Sequence, residues 1–300
     1  MNKNKKNFKS GFAAIIGMPN VGKSTLLNAI VGQKIAIISD KPQTTRNKIL
    51  AIYSNDEEQI IFTDTPGIHK PHNKLGEYMV NVANESMGDT DVLIFVVDAC
   101  RKIQEIEREI ARNISKTGLP CILVLNKVDL MKKEDLLPII ADYSNIHEFD
   151  AIVPISAKNN DGVDILIHEI EDYLEEGPEF YDSDMVTDQP EKQIAAEIIR
   201  EKLLWLLDKE VPHGIAIEIT KMQEKQKITN VYATIYCEKA SHKGIIIGKN
   251  GEMLKKIGTM ARGDIEKMLD KKVYLELWVK VKSDWRNSDF LIKNFGYANE

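Results

Sequence analysis

Residues 17–24 have the side-chain types and spacing best suited to chemistry. They read GMPNVGKS, a glycine-rich turn that ends in Lys23 and Ser24. Glycines let backbone N–H groups face an anion, a lysine adds positive charge, and a serine hydroxyl is a ligand for Mg²⁺. An apolar run at 12–16 precedes the turn, and a helical pattern covers 23–31. Because phosphate-binding loops have this order of strand, loop and helix, the segment predicts a bound nucleoside triphosphate.

A second motif, Asp64-Thr-Pro-Gly67, follows the apolar run 60–63. An aspartate at a strand end beside bound magnesium can hold the metal through water, and the Gly67 amide can detect a γ-phosphate. Alone, this motif would indicate only a turn. Its meaning depends on the motifs that accompany it.

Two further motifs point to the base. Asn126-Lys-Val-Asp129 follows one apolar run, and Ser156-Ala-Lys158 follows the next. The Asp129 carboxylate can accept hydrogen bonds from N1–H and the exocyclic amine of guanine, donors that adenine lacks there. The amides of residues 156–158 can face guanine O6. Since ligands bind at the carboxyl ends of strands in open α/β sheets, the four motifs together predict GTP and GDP.

The elements that must position these motifs alternate between strand and helix, which predicts a mostly parallel sheet covered by helices. The predicted strands cover 12–16, 60–63, 92–98, 121–126 and 151–156, with further strand segments at 35–38 and 49–53. The predicted helices cover 23–31, 74–87, 103–116, 134–146 and 163–175.

The C-terminal part has a different pattern, typical of a smaller α+β domain. An acidic, proline-containing stretch at 177–190 predicts a linker between a first domain at 1–176 and a second at 191–300. Beyond it we predict helix 191–207, strands 215–220 and 228–236, helix 243–247, helix 252–269 and strand 273–281.

The second domain is predicted to bind RNA. The chain has net charge −6, yet residues 221–282 contain 14 Lys and Arg against 7 Asp and Glu. Such a basic island is typical of an RNA or membrane surface, although a solvated lysine face has the same composition. Within it, Gly248-Lys249-Asn250-Gly251 follows Ile247 and lies between two predicted helices, the arrangement in which KH domains clamp a nucleic-acid backbone. In the adjoining strands, the aromatic residues Tyr232, Tyr236 and Trp278 either stack on bases or fill the core.

These motifs resemble those of the Era family, among the GTPases related to translation factors. The resemblance rests on GMPNVGKSTLLN at 17–28, PQTTR at 42–46, DTPG at 64–67 and AAEIIREKLL at 195–204, and it extends from residue 8 to about 297. It implies a P-loop GTPase domain followed by a KH type II domain. It also implies a GTP-hydrolysing switch that assembles the small (30S) ribosomal subunit and binds near the 3′ end of its ribosomal RNA.

The same resemblance implies that a threonine after the first helix closes over Mg²⁺, with Thr45 the candidate and Thr44 the alternative. Ile68 follows DTPG, where Ras-type GTPases place a glutamine that orients water, and isoleucine cannot do so. His69 lies nearby but is not assigned as a base. Related GTPases with asparagine at the position of Asn20 use K⁺ to bridge the phosphates, so a K⁺-assisted reaction is expected unless Asn20 only shapes the loop.

We therefore predict a catalytic set, a magnesium site, a nucleotide site and an RNA loop. The catalytic residues are Asn20, Lys23, Thr45 and Gly67, and the metal ligands are Ser24, Thr45 and Asp64. The nucleotide contacts are Gly17, Met18, Pro19, Asn20, Val21, Gly22, Lys23, Ser24, Thr25, Asp64, Thr65, Pro66, Gly67, Asn126, Lys127, Asp129, Ser156, Ala157 and Lys158. The RNA loop comprises Ile247, Gly248, Lys249, Asn250 and Gly251.

Bulk properties place the protein among ordinary globular chains. Its apolar stretches are far shorter than the roughly 18 residues that span a bilayer, and its three cysteines have no CxxC spacing. We expect a cytoplasmic monomer. The alternative is a signalling GTPase whose basic surface lies peripherally on the inner face of the cell membrane. A non-enzymatic RNA chaperone is disfavoured because the nucleotide motifs are intact.

Overall fold

The computed structural model describes residues 8–68, 71–86, 88 and 90–297. Within these limits the chain forms two compact units. The first comprises residues up to 36, 45–68 and 79–188, and the second comprises Ile37–Thr44, 71–78 and residues from 189 onward. The domain boundaries near 176 and 191 stay predictions.

The first unit contains a seven-stranded sheet, ordered β2-β3-β1-β4-β5-β6, with a short strand β7 also paired to β1. Strands β2 and β7 are antiparallel to their neighbours and the remaining pairs are parallel. The predicted, mostly parallel sheet is therefore confirmed. The strands are β1 (Lys9–Ile16), β2 (Ile49–Ser54), β3 (Glu58–Asp64), β4 (Val92–Asp98), β5 (Cys121–Asn126), β6 (Ala151–Ile155) and β7 (Glu175–Glu176).

Helices cover both faces of this sheet, which explains why its strands are almost continuously apolar. Helices α1 and α5 pack on one face, and α3 and α4 pack on the other. The helices are α1 (Lys23–Val31), α2 (Lys74–Glu85), α3 (Glu105–Thr117), α4 (Leu136–Ser144) and α5 (Val163–Glu171).

The structure corrects the prediction at 35–38, which is not a strand. The Asn28 side chain replaces a neighbouring strand there: its Oδ1 accepts hydrogen bonds from the amides of Ile35 (3.0 Å) and Ala36 (2.9 Å). Its Nδ2 donates to the Ala36 carbonyl at 2.8 Å. Two predicted helices are shorter than expected, since α4 is preceded by a separate 3-10 turn and α5 ends at Glu171. Residue 87, the predicted end of α2, lies outside the described residues.

The acidic stretch predicted as a linker is bonded to strands of the first unit. The Gln59 side chain on β3 accepts hydrogen bonds from the Phe180 and Tyr181 amides and donates to the Tyr181 carbonyl. The Ile52 amide on β2 donates to the Val186 carbonyl at 3.0 Å. A buried glutamine thus anchors a segment whose composition predicts little burial.

The second unit is an α+β fold with a three-stranded sheet, ordered β10-β9-β8. β8 and β9 are antiparallel, and β9 and β10 are parallel. One sheet face packs on α6 and α8 and forms the core. A C-terminal helix, α9, was not predicted; Ser288 caps it. The elements are α6 (Glu191–Leu206), β8 (Ala216–Glu224), β9 (Ile228–Cys237), α7 (Ala240–Ile247), α8 (Glu252–Leu269), β10 (Lys272–Val281) and α9 (Asp289–Asn294).

The Glu58 carboxyl, at the start of β3, makes the stability of the first unit depend on pH. Burial, and then the nearby Glu171 carboxylate, raise the pKa of Glu58 to about 7. The folded state therefore binds a proton more tightly than the unfolded chain, so this contribution to stability falls as pH rises from about 4.5 to 7.

Glu58→Gln removes this titration and retains an oxygen for the hydrogen bond that Asn55 donates at 3.0 Å. We compare the free energy of unfolding of the variant with that of the wild type at each pH. After allowance for solvent screening, this difference should be about 1 kcal/mol more favourable to the variant at pH 8 than at pH 5, or about 2–4 °C in melting temperature. Scanning calorimetry at both pH values measures it. If the melting temperature changes equally in the two proteins between pH 5 and pH 8, the prediction is wrong.

Candidate nucleotide site and nucleic-acid loop

The loop between β1 and α1 contains two positions, 17 and 22, whose backbone conformation and close neighbours require glycine. Gly17 has φ 148° and Gly22 has φ 104°. A Cβ on Gly17 would lie 2.3 Å from the Val96 carbonyl oxygen, and one on Gly22 would lie 2.2 Å from Asn126 Nδ2. Both glycines are therefore required for the loop to pack against β4 and β5. Asn20 between them is also left-handed, with φ 66°.

Lys23 folds back over this loop. Its Nζ donates to the carbonyls of Gly17 (3.0 Å) and Met18 (2.9 Å). Burial lowers the pKa of Lys23 to about 8, and the Asp64 carboxylate partly offsets the decrease. A buried ammonium that bonds two carbonyls gains strongly from a nearby anion, so this position suits a phosphate.

Ser24, Thr45 and Asp64 meet in one cluster. The Ser24 hydroxyl donates to Asp64 Oδ2 at 2.8 Å and lies 2.9 Å from Thr45 Oγ1, which is 3.4 Å from the same carboxylate oxygen. Asp64 is fully buried, and burial raises its pKa. Its Oδ1 has no hydrogen-bond partner in the described part of the chain. One carboxylate and two hydroxyls, with a buried oxygen to satisfy, fit a hard cation such as Mg²⁺.

The structure distinguishes between the two candidate threonines. The Thr44 hydroxyl donates to the Lys41 carbonyl at 2.6 Å and closes a local turn. Thr45 alone lies beside Asp64. Within DTPG, the Thr65 hydroxyl donates to the Ile15 carbonyl at 3.0 Å. A Cβ on Gly67 would lie 2.7 Å from the Pro19 nitrogen, so this motif packs tightly on the phosphate loop.

Hydrogen bonds made by the Asn126 and Asp129 side chains join the two base motifs to each other and to the phosphate loop. Asn126 Nδ2 donates to the Val21 carbonyl at 2.8 Å, and its Oδ1 accepts from the Ala157 amide at 3.0 Å. Asp129 Oδ1 accepts from the Ser156 hydroxyl at 2.7 Å. Asp129 and Lys158 are exposed, while Ser156 and Ala157 are buried. This arrangement holds the Asp129 carboxylate at the rim, where an entering base can reach it.

Sequence reasoning missed Asp98 at the end of β4. Lys127 Nζ bonds the Asp98 carboxylate at 2.7 Å and the Asn20 carbonyl at 2.8 Å. Asp98 therefore orients the lysine that connects the base motif to the phosphate loop. The signal was present in the sequence, since an acid ends the apolar run 92–97.

Two other predicted contacts, Thr25 and Pro66, adjoin residues of the site in sequence, and their contact with the nucleotide stays a prediction. Thr25 follows Ser24 in the first turn of α1, and Pro66 is buried beside Gly67. Ile68 is partly buried against the core on the α3 and α4 side of the sheet, and its hydrocarbon side chain cannot position water. His69 lies outside the described residues.

The GKNG loop joins α7 to α8. Gly248 has φ 75°, Asn250 φ 52° and Gly251 φ 80°. A Cβ on Gly248 would lie 2.7 Å from Met253 Cβ, whereas the space beside Gly251 is open. Lys249 and Asn250 are exposed and Ile247 is half-buried. The loop thus presents a charged, open backbone turn suited to a phosphodiester chain.

Comparison with known proteins agrees with this geometry. Residues 12–127 match the family described as 50S ribosome-binding GTPase, and residues 210–286 match the KH domain family. Fold and site together define a phosphate-loop GTPase followed by a KH domain. A GTPase Era from Ruminiclostridium cellulolyticum is 58% identical, covering 97% of this chain and 98% of the relative. One from Clostridioides difficile is 55% identical, covering 98% of this chain and all of the relative. The chain belongs to the GTPase Era family.

Two solved structures match with a TM-score of 0.95, 42% identity and coverage of 97% of this chain and 100% of the matched chain. One is an Aquifex aeolicus Era variant bound to GDP and aluminium fluoride. The other is an Era in complex with MgGDPNP and nucleotides 1506–1542 of 16S ribosomal RNA. The predicted family and fold class are thus confirmed. None of the helices in the described part of the chain combines the length and the hydropathy of a membrane-spanning segment.

Proposed function

We propose that this chain is a GTP-hydrolysing switch that binds single-stranded ribosomal RNA near the 3′ end of the small-subunit RNA and acts in assembly of that subunit. The observation that carries the proposal is the near full-length match to an Era that holds both MgGDPNP and 16S ribosomal RNA. The Ser24–Thr45–Asp64 cluster and the GKNG loop are the corresponding chemical features of this chain. We propose that it works as a monomer in the cytoplasm.

Mg²⁺, held by Ser24, Thr45 and Asp64, would neutralise phosphate charge during hydrolysis. The Lys23 ammonium donates to the carbonyls of Gly17 and Met18. With nucleotide bound, it would instead contact the β and γ phosphates. The predicted role of Gly67 is to bring its amide to the γ-phosphate. We assign Asp129 the recognition of guanine.

The switch segment Ile37–Thr44 ends immediately before Thr45 and packs within the second unit. The Ile38 amide donates to Glu201 Oε1 at 3.0 Å, and Arg200 bonds the Thr44 carbonyl. The buried Lys202 bonds both Glu201 and Asp264, and Asp264 lies on α8, the helix that begins after the GKNG loop. Within the second unit, hydrogen bonds and ion pairs therefore connect the segment that precedes Thr45 with α8.

We predict that hydrolysis is slow and is stimulated by K⁺, because Ile68 cannot orient water and an asparagine, Asn20, lies in the phosphate loop. The steady-state GTPase rate in KCl should exceed that in NaCl at equal ionic strength by about tenfold, equivalent to about 1.4 kcal/mol of transition-state stabilisation. Asn20→Gly is the matched variant, since glycine keeps the left-handed backbone and removes only the side chain.

In Asn20→Gly we expect equal rates in the two salts. If the wild type already shows equal rates, Asn20 is a structural residue of the loop. If the variant keeps the K⁺ preference, the cation contacts other groups.

The proposed function is tested by crosslinking the protein to RNA in living cells and sequencing the attached fragments. Reads should concentrate near the 3′ end of the small-subunit ribosomal RNA. The membrane alternative is tested by mixing the purified protein with vesicles of anionic phospholipid and measuring how much protein sediments with them. If the protein binds these vesicles and the sequenced fragments are not enriched in ribosomal RNA, the partner is the membrane and not RNA.

A further inference from the structure

The sheet of the second unit has a face opposite its helical core. On β10, Val273 and Val279 point into the core, so the alternate residues Tyr274, Glu276 and Trp278 lie on the opposite face. Tyr232 on β9 is paired with Glu276 and shares this face. Alternation along the strands therefore brings three aromatic side chains together outside the core.

Two of these aromatic residues are exposed to solvent. Trp278 is 59% exposed and Tyr274 is 48% exposed, which is unusual for large aromatic side chains on strands. At the other end of the same face, Phe295 covers Tyr236, with ring centroids 4.7 Å apart, and Tyr236 is buried. Of the aromatic residues whose role the sequence leaves open, Tyr236 is buried beneath Phe295 and Trp278 is exposed.

The exposed rings are held in fixed positions. Trp278 Nε1 donates to Glu276 Oε1 at 2.9 Å, and the Tyr274 hydroxyl donates to Glu276 Oε2 at 3.1 Å. Tyr232 and Tyr274 meet edge to face, with centroids 6.2 Å apart. Lys221 Nζ lies 6.0 Å from the Tyr232 ring centroid. A single carboxylate thus fixes two aromatic rings on the surface, which lowers the entropy lost when a planar ligand stacks on them.

We propose that Tyr274 and Trp278 form a second RNA contact, on which unpaired bases stack while the GKNG loop holds the backbone elsewhere. We call this pair the aromatic platform. The inference rests on the proposed function and extends it by assigning a base-stacking surface outside the KH loop.

Two observations favour single-stranded RNA as the occupant. A GxxG loop clamps about four nucleotides, whereas the related Era is bound to the much longer segment 1506–1542. Lys221, Lys272 and Lys280 flank the aromatic platform within the basic island and supply charge for phosphates. Surface aromatics beside lysines are how sheets bind unpaired bases without strict sequence preference.

The test uses the full chain and a synthetic RNA that copies the 3′-terminal segment of small-subunit ribosomal RNA. The double substitution Tyr274→Ala with Trp278→Ala should weaken RNA binding about 10–100-fold, because both stacking surfaces for unpaired bases are removed. The slope of log affinity against log salt should not change, since no phosphate contact is removed. GTP affinity should also remain unchanged.

Two further variants sharpen the test. Trp278→Phe keeps a stacking ring and should retain most of the affinity. We expect RNA to quench tryptophan fluorescence in the wild type and expect this quenching to be smaller in Trp278→Phe. Phe290→Ala removes another exposed aromatic side chain of the second unit, 73% exposed, and should bind RNA like the wild type.

Three outcomes would overturn the inference. If the double variant binds RNA as tightly as the wild type while Gly251→Asp does not bind, the aromatic platform is not an RNA contact and the proposed function stands. If the double variant keeps its RNA affinity but binds purified 30S subunits more weakly, this face contacts a protein of the subunit instead of RNA. No RNA binding by the wild type would remove both the inference and the proposed function.

Discussion

Gly251→Asp should abolish RNA binding and leave GTP binding unchanged. The substitution adds a carboxylate where a phosphodiester must approach, on a residue that has φ 80° and open space for 4 Å around the point where a Cβ would stand. We expect at least a 100-fold loss, since a repelled phosphate and a strained turn act together. Gel-shift titration with the 3′-terminal ribosomal RNA and nucleotide titration on the same preparation measure the two affinities.

Gly296→Asp is the matched control. Gly296 also lies in the second unit, with φ 81° and open space beside it, so it experiences the same strain and the same added charge away from the loop. RNA affinity in this control should be near that of the wild type. Gly248→Asp is less specific, because its Cβ would also collide with Met253. Should Gly251→Asp bind RNA normally, the GKNG loop is not the RNA site.

Simultaneous loss of RNA and GTP in Gly251→Asp would have a different meaning. The core of the second unit is formed by α6, α8 and one sheet face, and the phosphate loop lies on β1 and α1 of the first unit. The substituted glycine and Lys23 thus belong to different units. A combined loss would therefore show that the two units fold or act as one.

The nucleotide motifs could be predicted because each consists of consecutive residues with one chemical purpose. Gly17, Gly22 and Gly67 are required by contacts that any side chain would break. Periodicity sufficed for the buried parallel strands, since burial on both faces leaves continuous apolar runs. These features are local in sequence, so sequence reasoning found them.

The contacts that join distant segments could not be predicted. Nothing near 35–38 indicates that Asn28 replaces a strand partner there. Similarly, Arg200 and Lys202 have the composition of an ordinary amphipathic helix, yet both are buried and bond the switch segment and α8. Composition fixes neither the partner of a charge nor the burial of its side chain.

The aromatic residues of β10 show the same limit from the opposite direction. Alternating aromatics predict burial of one face, but a sheet has two, and only its packing decides which face is covered. Here α6 and α8 cover the valine face and leave Tyr274 and Trp278 exposed. Their function depends on tertiary packing that no local pattern describes.

Asp129→Asn should shift nucleotide preference from guanine to xanthine. The Asp129 carboxylate accepts one hydrogen bond from Ser156, at 2.7 Å, and we propose that it also accepts two from guanine. Asparagine can still accept from Ser156, so the local structure should persist, but its amide places a donor against the guanine 2-amino group. Loss of two charge-assisted hydrogen bonds, each contributing about 1.5–3 kcal/mol, should lower GTP affinity at least 100-fold.

Xanthine has a carbonyl at C2, which can accept from the new amide, so the affinity for xanthosine triphosphate should rise as that for GTP falls. Asp135→Asn is the control, since this exposed acid lies in the turn just beyond the motif and its loss changes the net charge equally. Competition titrations with GTP, ATP and xanthosine triphosphate give all three affinities for each protein. Equal affinity of the wild type for ATP and GTP would remove Asp129 from base recognition, and so would a variant that prefers GTP as strongly as the wild type does.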